Sequence, residues 1–116
     1  MSTEPIVVEQ RVAPPEAELR LLIPTDLEYC RGHFTGAPVV PGVVQLKWAI
    51  EAARRHLQAS GEIAGADALK FQRALLPGVT ATLTLKWLAA DGKLYFSYHS
   101  DATRFSSGRL LFRQNA

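Results

Sequence analysis

The chain has 116 residues, 47% hydrophobic and 21% charged, a balance that suits one folded domain with a single core and excludes a disordered polymer. The formal net charge is +2 and the pI near 8.9, but the basic residues are scattered and only Arg54-Arg55 are adjacent, so no nucleic-acid surface is expected. Cys30 is the lone cysteine, which leaves no internal disulfide. The start of the chain has no basic-then-apolar leader, and no apolar run approaches the ~20 residues of a spanning helix. The expectation is a cytoplasmic protein without membrane insertion.

Residues 1–15 carry Pro5, Pro14 and Pro15 and read as an extended N-terminal arm with an edge strand at Ile6 to Val12, ahead of a domain over residues 16–116. From Glu18 to Ile23 apolar residues alternate, with Leu19, Leu21 and Ile23 on one face, and Pro24 closes the strand. The loop that follows contains Arg31-Gly32-His33-Phe34-Thr35-Gly36-Ala37-Pro38-Val39-Val40-Pro41-Gly42. Its prolines stiffen the backbone and its glycines admit tight turns. His33 is its only side chain that titrates near neutrality.

The loop runs into a helix predicted over Val43 to Leu57, where Leu46, Ile50, Ala53 and Leu57 recur at intervals of four, three and four. Gly61 is read as its end and Gly65 as part of the linker. The period then changes to two. Ala68 to Leu76 is predicted as a strand before the Pro77-Gly78 turn, and Val79 to Trp87 alternates almost perfectly. Asp91-Gly92 marks a hairpin into Leu94 to Ser100, and Arg104 to Arg113 is the last strand. One helix with five or six antiparallel strands is an α+β domain in which the sheet must curl around the helix to bury its stripe. That element order resembles the hotdog fold.

On Gly32-His33-Phe34, Pro38 and Pro41-Gly42-Val43, with Lys70-Phe71-Gln72-Arg73, Pro77-Gly78 and Ser107-Gly108 downstream, the chain resembles the FabA/FabZ family of 3-hydroxyacyl-acyl-carrier-protein dehydratases. The resemblance covers about Glu18 to Arg113. Pro41-Gly42-Val43-Val44-Gln45-Leu46 followed by Trp48 is closer to the dehydratase-like branch of aryl-polyene and related pigment pathways. The resemblance implies a dimer that binds an acyl thioester on an acyl carrier protein and eliminates water from a 3-hydroxyacyl group in fatty-acid or aryl-polyene-type biosynthesis. It implies no metal and no cofactor. His33 would take the proton α to the thioester, and the Gly42 N–H would face the thioester oxygen. Phe34, Pro41 and Val43 would line the substrate site.

The family's second catalytic group, an aspartate or glutamate fourteen residues after the histidine, is here Lys47, and one turn on this chain has Glu51. The resemblance implies a pocket built between two subunits, so that His33 of one chain would face Lys47 of the other. Three readings follow. Lys47 or Glu51 supplies the proton and dehydration survives; or the chain is a non-catalytic subunit that pairs with a competent hotdog relative; or it is an acyl thioesterase. The plain alternative for Lys47 is an ion pair with Glu51 across one helical turn. Homodimer and heterodimer are both open. Trp48 and Trp87 read as packing residues.

Overall fold

The structure, a computed structural model, describes residues 2–27 and 39–113. Six strands, β1 (Ile6–Ala13), β2 (Glu16–Leu22), β3 (Glu62–Phe71), β4 (Thr80–Leu88), β5 (Lys93–His99) and β6 (Arg104–Arg113), form one antiparallel sheet in the order β1-β2-β4-β5-β6-β3. The single helix among the described residues, α1 (Gly42–Leu57), packs on the inner face over β2 and β4. This is the hotdog architecture expected from the element order.

Period-two patterning builds the core. Ala17, Leu19 and Leu21 of β2, Ala81, Leu83, Leu85 and Trp87 of β4, and Leu94, Phe96 and Tyr98 of β5 all turn inward and are buried. Register aligns them in rows across the sheet: Leu19 sits opposite Leu83, Leu83 opposite Tyr98, and Tyr98 opposite Ser106. At one end of the sheet Trp87 meets Phe112 edge-on at 4.9 Å, and the Arg54 guanidinium lies 5.5 Å above the Phe112 ring. On the outer face Arg109 makes two 2.6 Å hydrogen bonds to Asp67. These hold the Asp67 carboxyl below the usual carboxylate range.

The helix ends on Leu57, as the sequence reading has it, but the residue that stops it is Gln58 and not Gly61: Gln58 takes the left-handed conformation, φ 60° and ψ 30°, and the Ala59 N–H donates back to Ala53 O at 3.2 Å, while Gly61, at φ 100°, makes the later turn into β3. The third strand is Glu62–Phe71, not Ala68 to Leu76. Gly65 therefore lies inside a strand, where small residues (Ala64, Gly65, Ala66, Ala68) hide the alternation. After Phe71 the chain leaves the ladder: the N–H groups of Gln72 and Arg73 both donate to Phe105 O, and Leu75 tucks fully inside.

The β3–β6 register shifts between Asp67 and Lys70, with Ala68 at φ 52°, and this bulge seats Leu69 over Gly108. A Cβ at Gly108 would lie 2.5 Å from Leu69 Cδ2, 3.0 Å from Phe96 Cε2 and 3.3 Å from Leu69 Cα. Leu69's tip can swing away, but its backbone and the buried Phe96 ring cannot. Gly108→Ala is therefore expected to cost ~1–3 kcal/mol and to lower the melting temperature by ~4–12 °C, read by calorimetry. An unchanged melting temperature would mean that the bulge adjusts freely.

Candidate functional site

The start of α1 is built around a proline–glycine pair. Pro41 is the N-cap, with φ −58° and ψ 147°, and no side chain among the described residues caps the helix. The Pro41 carbonyl accepts from the N–H groups of Val44 at 3.0 Å and Gln45 at 3.2 Å, so it points into the first turn. The Pro41–Gly42 peptide is trans, because the only cis bond among the described residues is Pro14–Pro15. In a trans peptide the N–H points opposite the C=O, so the Gly42 N–H is directed out of the helix end. That is the orientation of a donor for a developing oxyanion, with the helix dipole adding to it.

Gly42 lines an open, largely apolar groove of about 450 Å³, walled by Val40, Pro41, Phe71, Gln72 and Leu75. The Phe71 ring lies so close that a Cβ on Gly42 would be 2.9 Å from two of its carbons. Glycine here serves a close approach. Phe71 is half-exposed and can swing aside, so Gly42→Ala is expected to change stability by less than ~1 kcal/mol, read by calorimetry. A larger loss would show that the ring is fixed against the helix start.

The other predicted site residues are placed as follows. His33 and Phe34, with Cys30, lie outside the described residues. Val43 is 73% exposed and is not among the residues that line the groove. Lys47 and Glu51 meet one turn apart, Nζ to Oε2 at 3.1 Å, both side chains about half-exposed. An exposed pair of this type is worth ~0.3–0.5 kcal/mol. Lys47 is five residues beyond Gly42, ~7.5 Å along the helix axis. Glu51 also borders a separate cavity of about 80 Å³ beneath the N-terminal segment, between Pro5, Val7, Trp48 and His56. The Trp48 indole closes that side by donating to Thr3 O at 3.2 Å. Among the described residues no cluster of histidine, cysteine and carboxylate side chains could hold a metal.

Two features escaped the sequence reading. Phe71 was legible as part of a motif but not as the lid over Gly42. Gln45 is a buried polar side chain on the face that also carries Trp48 and Ala49, and that i, i+3, i+4 spacing was the available signal.

Comparison with known proteins fits this geometry. The family description "ApeI-like: ApeI dehydratase" matches residues 9–109. The chain belongs to the ApeI-like dehydratase family. Among solved structures it superposes on a chain of the dehydratase heterocomplex ApeI:P from Xenorhabdus doucetiae with a TM-score of 0.89 and 30% identity, covering 96% of this chain and 99% of that one. An uncharacterized protein from Erwinia carotovora subsp. atroseptica gives 0.83 and 33%, with 95% and 96% covered. A 3-hydroxyacyl-[acyl-carrier-protein] dehydratase FabZ from Syntrophomonas wolfei is 31% identical over 70 residues, 54% of this chain and 49% of that protein. The FabZ of Erythrobacter litoralis is 29% identical over 77 residues, 59% of this chain and 51% of that one. The chain thus spans about half the length of the curated relatives it matches.

Proposed function

We propose that this ApeI-like chain acts on a 3-hydroxyacyl group held as a thioester on an acyl carrier protein and removes water to give the trans-2-enoyl product. The observation that carries the reading is the outward Gly42 N–H on a residue that lines the groove. A proton α to a thioester is too weakly acidic to be removed unless the oxygen that gains charge meets a fixed donor, and Gly42 offers one. His33, nine residues earlier in the same loop, is the base. The imidazole takes the α-proton, charge moves onto the thioester oxygen facing Gly42, and the C3–O bond breaks. The hydroxyl leaves as water with a proton delivered from the Lys47–Glu51 pair. No cofactor is required for this elimination. The proposed compartment is the cytoplasm, and the branch of metabolism is fatty-acid or aryl-polyene-type synthesis.

A second hotdog subunit completes the assembly. Val43, Leu46 and Ile50 follow one another at intervals of three and four and are exposed or only partly buried, although the core already takes Val44, Trp48, Ala49 and Ala53 from the same helix. Strand β3, at the sheet edge, leaves Ile63, Leu69 and Phe71 exposed. A helix with two apolar stripes beside an apolar edge strand supports a subunit contact.

One observation favours a second reading, in which the partner is a different chain. Lys47 carries an amine where the family has its carboxylic acid, and that amine is already paired with Glu51. The relevant test is mass spectrometry of a 3-hydroxyacyl carrier protein incubated with this protein alone. A loss of one water supports the dehydratase. An unchanged substrate that is dehydrated only after addition of a carboxylate-bearing hotdog relative supports the partner subunit. Release of free acid would identify a thioesterase and overturn both.

A further inference from the structure

Gln45 and Ser106 are buried polar residues, and they touch each other. The Ser106 hydroxyl donates to Gln45 Oε1 at 2.6 Å, and Gln45 Nε2 donates to the carbonyl of Val40 at 3.1 Å. The Tyr98 hydroxyl donates to the backbone oxygen of Gln45 at 2.6 Å. Val40 is itself buried, and its N–H donates to Leu75 O at 2.8 Å. Both polar groups of the Val40 backbone are therefore held, one by the segment after β3 and one by the helix. Two residues later comes Gly42.

We propose that Gln45 is a positioning residue, whose buried carboxamide ties the Val40–Gly42 turn to the sheet and so sets the direction of the Gly42 N–H. The inference rests on the reading of Gly42 as the oxyanion donor. The chemistry is selective. The Val40 carbonyl needs a donor and the Ser106 hydroxyl needs an acceptor, and a carboxamide presents one of each from a single planar group. An ionised carboxylate would set an acceptor against the Val40 carbonyl, and an apolar side chain would leave two buried polar groups unpaired. The N-cap residue, Pro41, has no polar side chain to offer, and among the described residues the carboxamide, reaching backward from the first turn, does the anchoring of a cap. Ser106 on β6 and Tyr98 on β5 sit opposite each other, so the anchor reaches rigid sheet and not another loop.

The test compares the parent with Gln45→Met, which keeps volume without hydrogen bonds, and with Gln45→Glu. For Gln45→Met the Gly42 amide order parameter is expected to fall from about 0.85 toward about 0.6, and Val40 amide exchange to quicken about tenfold or more, with β4 and β5 exchange unchanged. Turnover of a 3-hydroxyacyl carrier protein is expected to lose about tenfold in kcat with KM within about twofold. Gln45→Glu should match the parent at acidic pH, where a protonated carboxyl again offers one donor and one acceptor, and should fail as pH rises. An ordered Gly42 and a protected Val40 in folded Gln45→Met would overturn the proposal. So would exchange that quickens uniformly through the sheet, because that pattern describes a core contact only. If the parent itself turns over no acyl carrier substrate, the functional reading falls, and the order parameter and the exchange pattern still decide the role of Gln45.

Discussion

Replacing His33 with alanine is expected to slow the loss of water from a 3-hydroxyacyl carrier protein by about 10²–10⁴-fold, the range that a positioned general base contributes. Gly42 keeps its N–H in the variant, so the oxyanion donor stays and a residual rate above the uncatalysed one is expected. The imidazole is the one group in the loop that titrates near neutrality, so the acid limb of the kcat/KM profile should disappear together with the rate. Melting temperature and circular dichroism of the variant, taken alongside, separate lost chemistry from lost fold. A variant within threefold of the parent, with the acid limb intact, would remove His33 from the mechanism and leave the groove as a binding site.

The elements most legible in the sequence were those whose one face is core and other face solvent. Thr80–Leu88 puts Ala81, Leu83, Leu85 and Trp87 inside and threonines or lysine outside, which is the alternation itself. The helix was placed to within one residue, but its buried face was read from the wrong stripe. Leu46 and Ile50 were expected at the centre of the core, and they are only partly buried, while Val44, Trp48 and Ala49 are fully so. Ala53 and Leu57 belong to both patterns, and a helix apolar on two sides offers periodicity no single answer. Strand β3 was displaced because an edge strand of small residues has little burial to advertise. The site divides in the same way. Proline and glycine announce a turn at Pro41-Gly42 from composition alone, whereas Phe71 over Gly42 and Gln45 against Ser106 are contacts between residues 29 and 61 positions apart. No local pattern encodes them.

Lys47→Glu is the change expected to raise activity. The helix position is already shaped for a long side chain, and the Lys47–Glu51 pair it would break contributes little at this exposure. The new carboxyl stands at the position of the family's acid, and its repulsion with Glu51 one turn away costs the helix only a few tenths of a kcal/mol. A carboxylic acid is also a much stronger acid than an ammonium, and Brønsted behaviour then favours it as proton donor; a gain of about 10²-fold in kcat is expected. The level from which the gain starts separates the two readings. A parent that turns over alone, slowly, and improves in the variant is a dehydratase working with a poor acid. An inert parent that becomes active in the variant, and that also becomes active when a carboxylate-bearing relative is added, is one half of a heterodimer. In that assembly His33 and Gly42 of this chain would meet the partner's acid, and the reciprocal site, facing Lys47, would stay silent. A fall in rate would assign the proton to Lys47 itself, and Glu51→Gln should then leave the parent rate within about twofold, because the glutamate would only be holding the amine in place.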